Sequence, residues 1–395
     1  MTRVQNCKFK VQSQNLGLLT FNLELDSEAV VLKTFMHTRS ALMLCALFAA
    51  AFLLTACGGA PPTGWSGARV VDGIVYAGNS VGRVMALGAT DGALKWQFPA
   101  DNNVTAVYST PALANGIVYF GAFDHKFYAL DAATGAKKWE FDATAPIVSS
   151  PVVSESGLVY FGANNRRVYA LDARTGAKKW EFETQGEVWA DPTLAGGVLY
   201  APALDHKVYA LDAASGARKW EFDAGGIVVT KPAVAAGLVY VAGLSKLFAL
   251  DAQSGAKRWE FEASNWVWSN PTVAGGVVYF GALDGRVYAL DAQAGKEKWN
   301  TPFKANDAVR SAIVVDGGTG YFGADDRKVY AIDLATGQGK WSRVTNGRVL
   351  ASPGIANGVV YVSSHDNLLY ALDAATGTVK WSVDVTSGKL ATPAK

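Results

Sequence analysis

The chain has almost no surplus of either charge. Its 395 residues carry 36 Lys and Arg against 34 Asp and Glu. Five basic and three acidic residues fall within positions 1–56, which leaves 31 of each from Cys57 onward. A nucleic-acid binder needs a basic excess to displace counterions from phosphate, so nucleic acid is not an expected partner. Cysteine is scarce, at three residues. Cys7 lies near the N-terminus, Cys45 inside an apolar run and Cys57 at the end of that run. A chain cut before Cys57 therefore keeps no further thiol for a disulfide, a metal or catalysis. No Ser-His-Asp set, phosphate loop or metal-spaced cluster is visible, and no catalytic, cofactor or metal residue is expected. A sustained 3.6-residue apolar period is also missing after Cys57, which argues against helices.

What remains is an apolar, aromatic chain. Half of it is hydrophobic, 11% is aromatic and only 18% is charged, so it can bury a sizeable core. Gly, at 41 residues, points to many tight turns.

Residues 36–57 read as an address. Arg39 supplies a positive start, and Ala41 to Leu54 form a 14-residue apolar stretch. A membrane span needs about 20 residues, whereas a signal peptide does not. The stretch ends in Leu54-Thr55-Ala56-Cys57, which resembles the lipobox of bacterial lipoproteins. That resemblance implies lipid on the Cys57 thiol and cleavage before it. Residues 1–35 would bury the signal inside the chain, so Met36 is the expected start and 1–35 an upstream extension outside the fold. Residues 57–64 are then a short linker and 65–395 the folded domain.

A period of about forty residues dominates this domain. Tryptophan recurs at Trp96, Trp139, Trp180, Trp220, Trp259, Trp299, Trp341 and Trp381. Each has Gly four residues earlier, and all but the first have Asp eight residues earlier. Within one copy, Gly276 to Gly281 reads as a strand, Leu283-Asp284-Gly285 as a turn, Arg286 to Asp291 as a second strand and Lys296 to Asn300 as a third. Val267 to Ala274 supplies a fourth, interrupted by Pro271. Four strands per repeat, eight times over, predict an all-β, eight-bladed β-propeller of four-stranded antiparallel blades. Sheets this small must stack on one another, with the repeat Trp as a large anchor. Leu390-Ala391-Thr392-Pro393 repeats the opening of a blade, and is expected to close the ring against the first blade.

The pattern Ala-Leu-Asp-x-x-Thr-Gly-x-x-x-Trp resembles the tryptophan-docking repeat of pyrroloquinoline-quinone (PQQ) propellers, over about residues 65–395. Two branches share that repeat. Quinoprotein dehydrogenases, which bind PQQ with Ca²⁺, usually carry long insertions, calcium-ligating Asp, Glu and Asn, and often adjacent cysteines. Here insertions are almost absent and no adjacent Cys pair follows the signal. The other branch, the BamB-like outer-membrane assembly lipoproteins, is similar in size, lipobox and repeat number. It implies no cofactor, a lipid anchor in the cell envelope, and a barrel-insertion complex or β-barrel client as partner where an outer membrane exists. The expectation is a binding scaffold rather than an enzyme. The alternatives are a PQQ-type oxidoreductase or ligand-binding propeller, and a structural envelope protein.

Aligning the blade openings on their proline exposes two columns. One residue before it stand Thr110, Ser150, Asp191, Lys231, Asn270, Ala312, Ser352 and Thr392. Three before it stand Tyr108, Val148, Trp189, Val229, Trp268, Arg310, Leu350 and Leu390. Ile313 replaces the proline in the seventh blade. The departures Trp189, Asp191, Lys231, Trp268, Asn270 and Arg310 fall in consecutive blades four to seven. They are the candidate channel-mouth site, weighed against a plain solvated channel with ion pairs. His125, His206 and His365 are assigned to one surface turn of blades two, four and eight, too far apart to share a metal.

Overall fold

The computed structural model describes the backbone of residues 9–13, 18–25 and 28–35, and all of residues 66–79, 81–100 and 106–391. The chain divides into two compact units, Met1–Pro62 and Thr63–Lys395. In the first, strands Phe9–Ser13, Leu18–Leu25 and Glu28–Phe35 form an antiparallel meander. The signal segment and Cys57 lie outside the described residues. Among those described there is no helix, and hence none long and apolar enough to cross a membrane.

The second unit is an eight-bladed β-propeller. Eight antiparallel sheets follow one another along the chain, each built from consecutive strands. Blade three is representative, with strands Val152–Val153, Leu158–Ala163, Arg167–Asp172 and Lys178–Glu183. Its short first strand is innermost and its Trp-bearing last strand outermost. The two middle strands are almost wholly buried because they pack against the neighbouring blades on both faces.

One docking unit, repeated around the ring, joins the blades. The indole Nε1 of each repeat Trp donates to a backbone carbonyl in the next blade, at 2.9–3.1 Å. The ring lies on the glycine of that turn. A Cβ on Gly255 would sit 2.7 Å from Trp220, and its φ of +73° suits glycine alone. Seven second-strand tyrosines, such as Tyr119 on Ala173 at 2.9 Å, donate to the same carbonyl as the Trp. The recurring Asp caps the turn: Asp172 Oδ1 accepts from the Thr175 N–H and hydroxyl, both at 2.9 Å.

Ring closure differs from the sequence expectation. Trp381 and Tyr361 of blade eight donate to Ala89 of blade one, so the side-chain dock closes the circle. Blade one uses its own inner strand, Arg69–Val71. The C-terminal strand Lys389–Leu390 pairs instead with the outer strand of blade eight, Val379–Asp384, as a fifth strand. It cannot reach an inner position, because only four residues separate it from that outer strand.

Blade six also departs. Lys296 to Asn300 is not a strand; only Glu297 bridges Leu290, and pairing resumes at Phe303–Lys304. Phe303 pairs with Val287 as Phe182 pairs with Val168. The Trp-to-Phe spacing is therefore two residues longer here, and Pro302 within the insertion cannot donate to the ladder. Trp299 still docks.

Candidate binding face

The loops that enter each inner strand cross the second-to-third-strand turn of the same blade. Backbone bonds fix that crossing: Phe123 N–H to Ala106, Leu204 to Glu187, Leu283 to Trp266, Asp325 to Ala308 and His365 to Arg348. Each crossing sets the column three residues before the proline beside a turn residue. In blade two the pair is aromatic, with Tyr108 and Phe123 rings 5.7 Å apart. Burial pushes the Tyr108 phenol up to about 12, so it is a neutral hydrogen-bonding group at physiological pH. In blade seven the pair is ionic: Arg310 Nε meets Asp325 Oδ2 at 3.1 Å.

Of the six sequence candidates, the structure brings together Trp268 and Arg310. The guanidinium lies over the indole, 5.0 Å from the ring centroid. Held by Asp325 on one side and Trp268 on its face, Arg310 presents a fixed cation. Asp325 is only 8% exposed, so the pair works in a partly desolvated setting where its attraction is strong. Trp189 stands two blades away and donates its indole N–H to Glu187 at 2.6 Å.

Asp191 and Asn270 do something different. They belong to a belt in which one blade's pre-proline side chain accepts the backbone N–H of the blade before it. Asp191 takes Ser150 at 2.6 Å, Asn270 takes Lys231 at 2.8 Å, Ser352 takes Ala312 at 3.0 Å and Thr110 takes Gly67 at 3.0 Å. These side chains stitch neighbouring inner strands together. Burial raises the Asp191 carboxyl above its ordinary range, against the opposing pull of Lys231 and the Ser150 N–H. Lys231 itself is exposed.

His365 also needs correction. It does not share a position with His125 and His206, which are the positive-φ third residues of their turns; there Asn367 is the equivalent in blade eight. His365 occupies the place of Phe123 and Asp325, half-buried, beside Arg348 and Asp325. Burial first, and then Arg348, hold its imidazole below its ordinary range. Aligning the residue two places after the second-strand Gly, as in Gly121-Ala122-Phe123 and Gly323-Ala324-Asp325, is the signal that would have found Asp325. The turn carboxylates Asp124 and Asp205 are occupied, each accepting a Tyr hydroxyl at 2.6 Å.

The family's sequence model described as outer membrane protein assembly factor BamB matches residues 55–153, 144–230, 224–314 and 302–394, two blades at a time. The chain belongs to this family. Solved structures share its fold. The BamB of Moraxella catarrhalis, 19% identical, has a TM-score of 0.59 over 70% of this chain and 87% of its own. The computationally designed Ika8 protein, 18% identical, has 0.67 over 80% and 95%. The quinohemoprotein alcohol dehydrogenase ADHIIG of Pseudomonas putida HK5, also 18% identical, has 0.60 over 77% and 69%. A comparison with curated proteins finds no match.

The last resemblance raises the question of a calcium-bound quinone. Such a group needs several oxygen ligands converging on one point. Among the described residues no three His, Cys, Asp or Glu side chains converge. Asp325, the buried carboxylate of the face, gives Oδ2 to Arg310 and leaves one buried oxygen, Oδ1, without a hydrogen-bond partner, which is a single ligand atom. These residues do not fit that group. What they offer instead is a guanidinium held by Asp325 and stacked on Trp268.

Proposed function

We infer that the chain is an exported, lipid-anchored scaffold that holds a protein partner at the mouth of its propeller during outer-membrane β-barrel assembly. The observation that carries this reading is the match to the BamB family across residues 55–394. The anchor is the lipid on Cys57, and Gly58-Gly59 after it lack the Asp of an inner-membrane retention signal. The propeller then faces the periplasm from the outer membrane, or the outside of the cytoplasmic membrane where no outer membrane exists. Its partner is the barrel-insertion complex or an unfolded barrel client. Because the chain from Cys57 is neutral, long-range steering is weak and affinity rests on Trp268, Arg310 and Trp189, with Lys231 beside them.

Affinity capture from native membranes tests the reading. The folded Trp268→Ala and Arg310→Ala proteins should release the partner that wild type retains. Normal recovery by the folded double variant would remove this face. Cys57→Ser should abolish lipid labelling and leave the uncleaved precursor in the membrane. Dye-linked alcohol or sugar oxidation on adding PQQ and Ca²⁺ would overturn the scaffold reading in favour of an oxidoreductase.

A further inference from the structure

The outer edges of the blades are not alike. In blades two to five the residue after the repeat Trp is Glu, and each Glu bridges two cations across the edge. Glu140 meets Lys126 and Lys137, both at 2.6 Å, and Glu260 meets Lys246 at 2.9 Å and Lys257 at 2.6 Å. Glu181 and Glu221 are held in the same way. Charged clamps of this kind block the docking of a foreign strand, because pairing would strip them of water. In blade eight the equivalent residue is Ser382, followed by the fully buried Val383. This edge carries no clamp and is covered by a strand.

That strand is minimal. Leu390 pairs with Val383 and Lys389 with Asp384, and the Ala391 N–H donates to Ser382 O at 2.8 Å. The Ser382 hydroxyl adds a bond to Ala391 O at 3.2 Å. Its turn is capped by Asp384, which accepts from Thr386. The turn leans on blade one, where a Cβ on Gly388 would lie 2.9 Å from Leu94 Cδ2. Both strand residues are exposed, Leu390 at 63%, and Leu94 beside the turn is 39% exposed. So short a segment with so little burial opens far more readily than the blades beneath it.

We propose that the outer edge of blade eight is a strand-acceptor site, that residues 386–391 are its exchangeable internal occupant, and that an extended, alternating apolar segment of an unfolded β-protein binds by displacing them. The resident strand fixes the mode of binding: antiparallel backbone pairing to Ser382 and Asp384, with an apolar side chain opposite Val383. Leu94, 39% exposed beside the turn, favours an apolar partner over a charged one. This site is on the ring's circumference and does not rest on the mouth reading. Its failure would leave Trp268 and Arg310 as they stand.

The test measures fluorescence anisotropy of a labelled peptide alternating Val and Thr, titrated with the full chain. An occupied site binds with its affinity reduced by the fraction of time it is open. Ending the chain after Val385 should therefore tighten binding by about tenfold or more. Ala391→Pro, which keeps the segment but removes its ladder donor, should give a smaller gain in the same direction. A peptide N-methylated at alternate residues should not bind, since it cannot pair. Unchanged or weakened binding in both variants would overturn the proposal, as would equal binding of the N-methylated peptide.

Discussion

Blades two to five and blades six to eight share one repeat, and the second group departs from it further. The first four have full outer strands, clamped edges and almost interchangeable sequences, as in Lys178–Glu183 and Lys257–Glu262. Blade six lengthens the Trp-to-Phe spacing. Blade seven replaces proline with Ile313 and sets Arg310 against Asp325. Blade eight has His365 in its turn and a fifth strand on its edge. Yet Trp299, Trp341 and Trp381 dock as regularly as Trp180 and Trp220. The residues that join blades are thus separable from those that differ among them. A ring tolerates change at mouths and edges as long as every dock is kept.

The sharpest break of that comparison is to remove a dock. Trp220→Ala takes away a ring that is 9% exposed, its bond to Ala252 and its packing on Gly255. It should cost about 3–5 kcal/mol, read as a fall in urea midpoint. Trp299→Ala, in the irregular sector, should cost as much. Lys219→Ala removes only a surface pair with Asp212 at 3.3 Å, and should change stability by less than about 0.5 kcal/mol. Equal costs at positions 219 and 220 would sink the docking account.

Periodicity made the propeller, its eight blades and its docking tryptophans legible before any coordinates. A repeated Trp, Gly and Asp at fixed spacing can satisfy one geometry only. The candidate face was half legible. Arg310 and Trp268 stand out as departures in an aligned column, but Asp325, the partner of Arg310, sits in a turn 15 residues further on, outside the blade openings. Asp191 and Asn270 look like a binding pair in sequence because their neighbours' backbone N–H groups are invisible there. The path of the C-terminal strand was misread because Leu390-Ala391-Thr392-Pro393 resembles a blade opening, while the short loop behind it decides its place.

A smaller effect separates the two sectors at the mouth. Arg310→Ala leaves the Asp325 carboxylate buried without its cation, at a cost of roughly 3 kcal/mol. Asp325→Ala should cost less, since Arg310 is 29% exposed in its side chain and can turn to water. The double variant should recover part of the loss, and a thermodynamic cycle on urea midpoints measures that coupling. Strict additivity would mean that the pair does not anchor Arg310.

Within the belt, Asp191 and Asn270 perform one task with different charge, and pH tells them apart. The Asp191 carboxyl is raised in the folded state. Unfolding therefore releases its proton as pH climbs from the ordinary carboxylate range toward the raised value. Stability from this group is present below that range and lost across the window. Asp191→Asn can still accept the Ser150 N–H, as Asn270 accepts that of Lys231. The variant should match wild type in acid and exceed it in thermal midpoint near neutrality. A variant that is less stable near neutrality would show that the Lys231 attraction outweighs burial.

The smallest expected stability change tests the edges. Glu181→Ser copies into blade three the residue that blade eight carries at Ser382. The lost ion pairs, Lys178 at 2.8 Å and Arg167 at 3.5 Å, join side chains that are about a third or more exposed. Water screens them, so the urea midpoint should move by no more than about 0.5 kcal/mol in energy. The consequence should lie elsewhere. Without its clamp the outer strand Lys178–Glu183 offers an uncovered ladder to a passing strand, and blade three has no fifth strand to occupy it. The variant should gain affinity for the alternating Val-Thr peptide while its stability stays put. A large loss of stability would show that the clamps hold the blades together. Unchanged peptide binding with unchanged stability would mean that Glu181 does not protect its edge, and that the contrast between blade three and blade eight rests on the resident strand alone.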